Sequence, residues 1–216
     1  MLVRQIAYRI YEKSMIKNLS SGPIPGYIAL VISDGDLMDQ QPIYKLLNFI
    51  RWCSELGVKE VSVYVSVTYH KLDAINSRLT GCISGAFKGS GFKCRIVSPG
   101  SIIEHDGSDP CMVNISIGYG GKYEVVNALR EIMQEVKAGK INEEDIDESL
   151  IESHLMFKSE PDLFIRTGEA RLTDFLIWQS VYSELYFTDV NWEDFRKVDL
   201  LRAIRDYQYR QRRFGK

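Results

Sequence analysis

Residues 27 to 32 read Tyr-Ile-Ala-Leu-Val-Ile, a nearly unbroken apolar run that empties into Ser33-Asp34-Gly35-Asp36. A strand with no polar face must be covered on both sides, which is the situation of a central strand in a parallel sheet. Loops at the carboxyl ends of such strands form ligand sites, so the polar loop beginning at Ser33 is a candidate. Next, Ile43, Leu46, Leu47, Ile50, Cys53 and Leu56 recur at helical spacing up to Gly57, and Val58, Val61, Val63, Val65 and Val67 mark another strand. This is a β-α-β unit. A weaker helix with Leu72, Ile75 and Leu79 follows, then Gly-rich residues 81–91, a short strand at Cys94 to Val97 and an unstructured polar loop over 99–110. Met112 to Ile117 reads as a strand, and Val125 to Val136 as a helix stopped by Gly139. Residues 142–151 and 193–211 read as further helices, and residues 2–19 as an amphipathic helix with Leu2, Val3, Ile6, Ile10, Met15 and Leu19 on one face. Alternating strands and helices without a linker predict one α/β domain over residues 1–216, with a mostly parallel central sheet flanked by helices. The N-terminal helix then occupies 1–22, and a C-terminal helix and tail occupy 193–216.

Charge narrows the function. A formal net charge of -2 carries no basic excess for a phosphate backbone, so nucleic acid is not the expected partner and any phosphate ligand must be met locally. Cys53, Cys82, Cys94 and Cys111 show neither a CxxC pair nor zinc spacing, and read as buried reduced thiols of a cytoplasmic protein. No apolar run reaches the length of a membrane span, so at most peripheral membrane contact is expected. His70, His105 and His154 are scattered without metal spacing.

Residues 161 to 187 carry the most chemistry. Leu163 to Ile165 reads as a buried strand between Pro161 and Gly168, and Phe175, Trp178, Val181, Tyr182 and Leu185 recur at helical spacing. Between them, Arg166, Arg171 and the hydroxyl of Thr173 gather where the helix begins, and two guanidiniums at a helix N-terminus suit phosphate oxygens. The local pattern leaves a second reading open, in which these arginines pair with Glu169 or Asp174.

Gly118-Tyr119-Gly120-Gly121, Pro161 to Gly168, Phe175 to Gln179, Tyr182 to Phe187, Trp192 to Phe195 and Arg213-Phe214-Gly215 together resemble the cis-prenyltransferases, which include undecaprenyl and dehydrodolichyl diphosphate synthases. The resemblance implies a dimeric α/β enzyme that adds isopentenyl diphosphate to an allylic diphosphate with Mg2+, making long polyprenyl diphosphates. It further implies that Arg166, Arg171 and Thr173 hold the isopentenyl diphosphate and that Glu184 associates with Mg2+. Arg213 and Gly215 match a tail that reaches the partner's diphosphate.

The first half departs from that pattern. Where the family has a Met-Asp-Gly-Asn-Gly-Arg-Trp segment, Ser33 falls at the aspartate position, and sliding by one brings Asp34 into register instead. A loop or bulge after Ile32 could absorb that slip. In either register Leu37 and Met38 stand where arginine and tryptophan should be. Losing an aspartate and an arginine at an ionising diphosphate should remove most of the rate. The expectation is therefore an accessory, Nogo-B receptor-like subunit of a heteromeric enzyme, a heterodimer or heterotetramer with a homologous catalytic subunit. The alternatives are a homodimeric enzyme using Asp34 and a non-catalytic prenyl diphosphate or partner-binding protein.

Overall fold

The computed structural model describes residues 2–19, 22–37, 39–67, 72–168 and 178–210. The apolar run becomes β1, Tyr27–Ser33, in which every residue but the last is buried. It is flanked on both sides by parallel neighbours: β2, Glu60–Ser66, and β6, Leu163–Thr167. With β3 (Lys93–Ser98), β4 (Ser101–His105), β5 (Met112–Ile117) and β7 (Glu184–Thr188) the sheet has the order β4-β3-β5-β2-β1-β6-β7, and only the β3–β4 pair is antiparallel.

Side chains alternate between two faces. On one, Ile28, Leu30, Ile32, Val61, Val63 and Ile115 join a large cluster with α1 (Leu2–Leu19), α2 (Gln40–Glu55), α3 (Leu72–Phe87) and α6 (Lys197–Tyr209). Within it Trp192, Phe49 and Phe195 form a three-ring cluster with centroids 5.8–6.0 Å apart, the separation at which aromatic pairs attract beyond simple burial. On the other face Ala29, Val31, Tyr64, Val97 and Phe164 meet Phe157, with Tyr119 packed alongside just before α4, Gly121–Lys137.

Several sequence expectations change. The polar stretch 99–110 contains β4, a short edge strand whose residues are only partly covered. The segment 142–151 divides into a 3-10 turn, Glu143–Asp145, closed by the Asp145 carboxylate accepting from the Asn142 backbone N–H, and a separate helix α5, Glu148–His154, capped by the Asp147 side chain. The last helix begins at Lys197, after a 3-10 turn at Trp192–Asp194. In α1 Met15 and Leu19 are buried but Ile10 is exposed. Cys82 is exposed, whereas Cys53, Cys94 and Cys111 are buried free thiols. The helix expected to run to Leu185 is not continuous: residues 178–182 form turns and Glu184–Thr188 is a strand.

Candidate functional site

The chain leaves β1 through α2 towards β2, whereas β6 lies on the other flank of β1 and leads outward to β7. Connections therefore depart in opposite directions between β1 and β6, and the carboxyl end of that pair is where open α/β sheets open a crevice for ligands. β1 ends there at Ser33 and β6 at Thr167.

Strand β1 pairs regularly with β2 through Ser33 and Ser66, so no bulge absorbs the one-residue slip. Ser33 ends the strand and Asp34 opens a 3-10 turn, Asp34–Leu37. The two carboxylates of that turn do different work. Asp36 Oδ2 accepts from the Ser33 backbone N–H at 2.9 Å and the Ser33 hydroxyl at 2.7 Å, which closes the turn. Asp34 Oδ1 accepts only its neighbour's N–H, from Gly35 at 3.0 Å, among the described residues. Leu37 is buried in the large core cluster.

On the β6 side Arg166 pairs in register with Val31, which places its side chain on the same face as Ser33. Gly168 follows at φ +80°, and its N–H is directed to the carbonyls of Thr188 (3.0 Å) and Val190 (3.2 Å). A Cβ there would lie 3.1 Å from Asn191 Oδ1. The glycine is thus required by both backbone conformation and close approach. Arg171 and Thr173 lie outside the described residues, as do Arg213 and Gly215.

Glu184 is not brought to this end. It pairs with Leu163 at the amino end of β7, whereas Arg166 pairs with Phe187, a separation of about 10 Å along the strands. Its carboxylate takes a hydrogen bond from Arg210 Nη1 at 3.1 Å. Within one chain the expected grouping of Glu184 with Arg166 does not form. For Mg2+, the described residues contain no group of three or more His, Cys, Asp or Glu that could hold a metal. The donor set nonetheless fits Mg2+ bridging to a diphosphate, which needs only one or two carboxylates, and Asp34 has an uncommitted oxygen.

One residue that sequence reasoning missed ties α4 to the segments at Phe157 and Gln179. Glu124, in the first turn of α4, is buried, and its carboxylate accepts from the Phe157 N–H at 2.9 Å and from Gln179 Nε2 at 3.1 Å. Gln179 Nε2 also donates to the Phe157 carbonyl at 2.8 Å. Burial raises the Glu124 pKa, and these hydrogen bonds hold the rise in check. The available signal was a carboxylate in the first turn after Gly120-Gly121, where a helix N-terminus favours negative charge.

Comparison with known proteins fits this geometry. The family model described as "Putative undecaprenyl diphosphate synthase" matches residues 101–215. The chain belongs to the cis-prenyltransferase family. A relative from Picrophilus torridus, tritrans,polycis-undecaprenyl-diphosphate synthase (geranylgeranyl-diphosphate specific), is 34% identical over 96% of this chain and 96% of its own. An isoprenyl transferase of Thermus thermophilus is 32% identical over 97% of this chain and 95% of its own. Among solved structures, lavandulyl diphosphate synthase from Lavandula x intermedia, in complex with dimethylallyl diphosphate, superposes with TM-score 0.74 at 25% identity, covering 89% of this chain and 99% of that one. The seven-stranded, mostly parallel sheet is that of a cis-prenyltransferase, and no described helix is long and apolar enough to cross a membrane.

Proposed function

We propose that this cis-prenyltransferase is a polyprenyl diphosphate synthase in its own right, joining isopentenyl diphosphate to an allylic diphosphate of the geranylgeranyl class. The observation that carries it is the position of Asp34, the first residue beyond β1, at the same strand ends as Arg166 and Gly168. Relatives that match nearly the whole chain are named as synthases, which favours the enzyme over the accessory subunit expected from sequence.

In the reaction the allylic carbon–oxygen bond breaks and diphosphate departs. A carbon–carbon bond forms to the isopentenyl double bond, and a proton is lost to leave the new alkene. Asp34 would hold Mg2+, which supplies charge neutralisation at the departing diphosphate. Arg166, with Arg171 and Thr173, would hold the isopentenyl diphosphate as a cationic clamp. Glu184, Arg213 and Gly215 would serve the diphosphate of a second copy, since Glu184 is remote from Arg166 within one chain.

A second reading keeps the accessory role. It draws on Ser33 holding the last register position of β1 and on Leu37 being buried where the resemblance implies an arginine. Incorporation of labelled isopentenyl diphosphate by the purified chain with Mg2+ and geranylgeranyl diphosphate separates the two. Turnover by the chain alone is the expected result. No turnover alone, restored by a homologous subunit, would establish the accessory role instead.

A further inference from the structure

The β1–β6 ladder ends at the pair Val31–Arg166, three residues before Asp34. Strand pairing therefore fixes the strands but leaves the Asp34 turn and Gly168 to be held relative to one another by something else. The remaining contacts run through the segment after β7. Thr188 and Val190 seat Gly168 through their carbonyls, and the 3-10 turn Trp192–Asp194 follows at once. That turn is stitched to the first turns of α2 in both directions. Trp192 Nε1 donates to the Pro42 carbonyl at 3.2 Å, while Lys45 Nζ donates to the carbonyls of Trp192, at 3.2 Å, and Glu193.

We propose that Lys45 is a positioning residue that fixes the Asp34 turn against the Gly168 seat, so that substrates held on the two sides meet in reacting geometry. The contact has the features this task requires. Trp192 is fully buried in the three-ring cluster with Phe49 of α2 and Phe195, so the turn that Lys45 grips is itself anchored. The carbonyls of a 3-10 turn are open acceptors, and a cation there is favoured. Lys45 also lines a crevice of about 600 Å³ with Asp39, Gln41, Pro42, Glu193 and Asp194. Solvent thus reaches the joint, where these hydrogen bonds add to the packing of Phe49 on Trp192. Burial lowers the Lys45 pKa, with Asp194 and Glu193 pulling the other way.

The proposal rests on the synthase reading above, and its test has one arm that does not. In the first arm, Lys45→Met is compared with wild type and Lys45→Arg in the condensation assay. Each half-site stays intact while their mutual placement loosens. The expected result is a fall in kcat of about tenfold with KM for either diphosphate changed less than about twofold, because misplacing reactants costs rate rather than binding. Lys45→Arg, which keeps the donors, recovers most of the rate. Unchanged kcat, or a rise in KM with kcat unchanged, would overturn the proposal. In the second arm, amide hydrogen exchange compares peptides covering residues 34–41 and 188–194. Lys45→Met accelerates exchange in both, and protection equal to wild type would overturn the clamp whether or not the chain turns over. Absence of turnover in wild type, with accelerated exchange in the variant, would retire the synthase reading and leave the clamp standing.

Discussion

Gly168 is the residue on which the β6 end of the site depends most directly. At φ +80° with Asn191 Oδ1 3.1 Å from any added Cβ, Gly168→Ala meets both backbone strain and a contact. The expected loss is about 1–3 kcal/mol, read by chemical denaturation. Glu124 makes a prediction in pH. Its folded pKa is raised by burial, so the stability linked to its proton is fully present below the ordinary glutamate value and is lost as pH rises through the folded pKa. Glu124→Gln cannot titrate. The stability of wild type relative to this variant therefore declines as pH rises from weakly acid towards neutral, measured by melting temperature; parallel curves would contradict the assignment. Neither Glu124 nor Lys45 was legible in the sequence as a contact. Gln179 lies 55 residues from Glu124, and the carbonyls gripped by Lys45 lie 147 and 148 residues away, distances at which no periodicity speaks.

At the scale of elements, the buried strands were readable and the edges were not. β1 announces itself because both faces are covered and its sequence is apolar up to Ser33, while β2 and β5 show through the Val and Ile residues at every second position. β4 has the sequence Ser-Ile-Ile-Glu-His on a half-exposed edge, between polar loops, and carries no such signature. The helix expected to reach Leu185 failed for a related reason: Trp178, Val181, Tyr182 and Leu185 keep helical spacing, but pairing with β6 supplies the hydrogen bonds that decide the state of Leu185. The register of β1 also had to wait for the structure, because a bulge after Ile32 is not encoded by any glycine there. The Trp192–Asp194 turn overlaps the start of the helix expected from residue 193, yet it anchors the core. Trp192→Ala removes a fully buried ring from the three-ring cluster and should cost about 3–5 kcal/mol by denaturant titration.

For the whole molecule, the pattern of exposed apolar side chains points to a second copy. Val126, Leu129 and Met133 lie at i, i+3 and i+7 on the outer side of α4, and Val181, Tyr182 and Phe187 are also exposed. Large apolar side chains exposed to water favour association. Sedimentation should give a species at twice the chain mass of 24.8 kDa, converted to monomer by the paired changes Leu129→Asp and Met133→Asp. A homodimer would also offer Glu184 and the tail carrying Arg213 and Gly215 a diphosphate to serve. Whether this chain performs its own condensation with Asp34 is decided by steady-state kinetics of the purified chain and its Asp34→Asn variant under identical Mg2+, isopentenyl diphosphate and geranylgeranyl diphosphate. The expected result is turnover by wild type and a loss in kcat on the order of a hundredfold or more in the variant. Equal rates in the two proteins, or no rate in wild type until a homologous subunit is added, would contradict it.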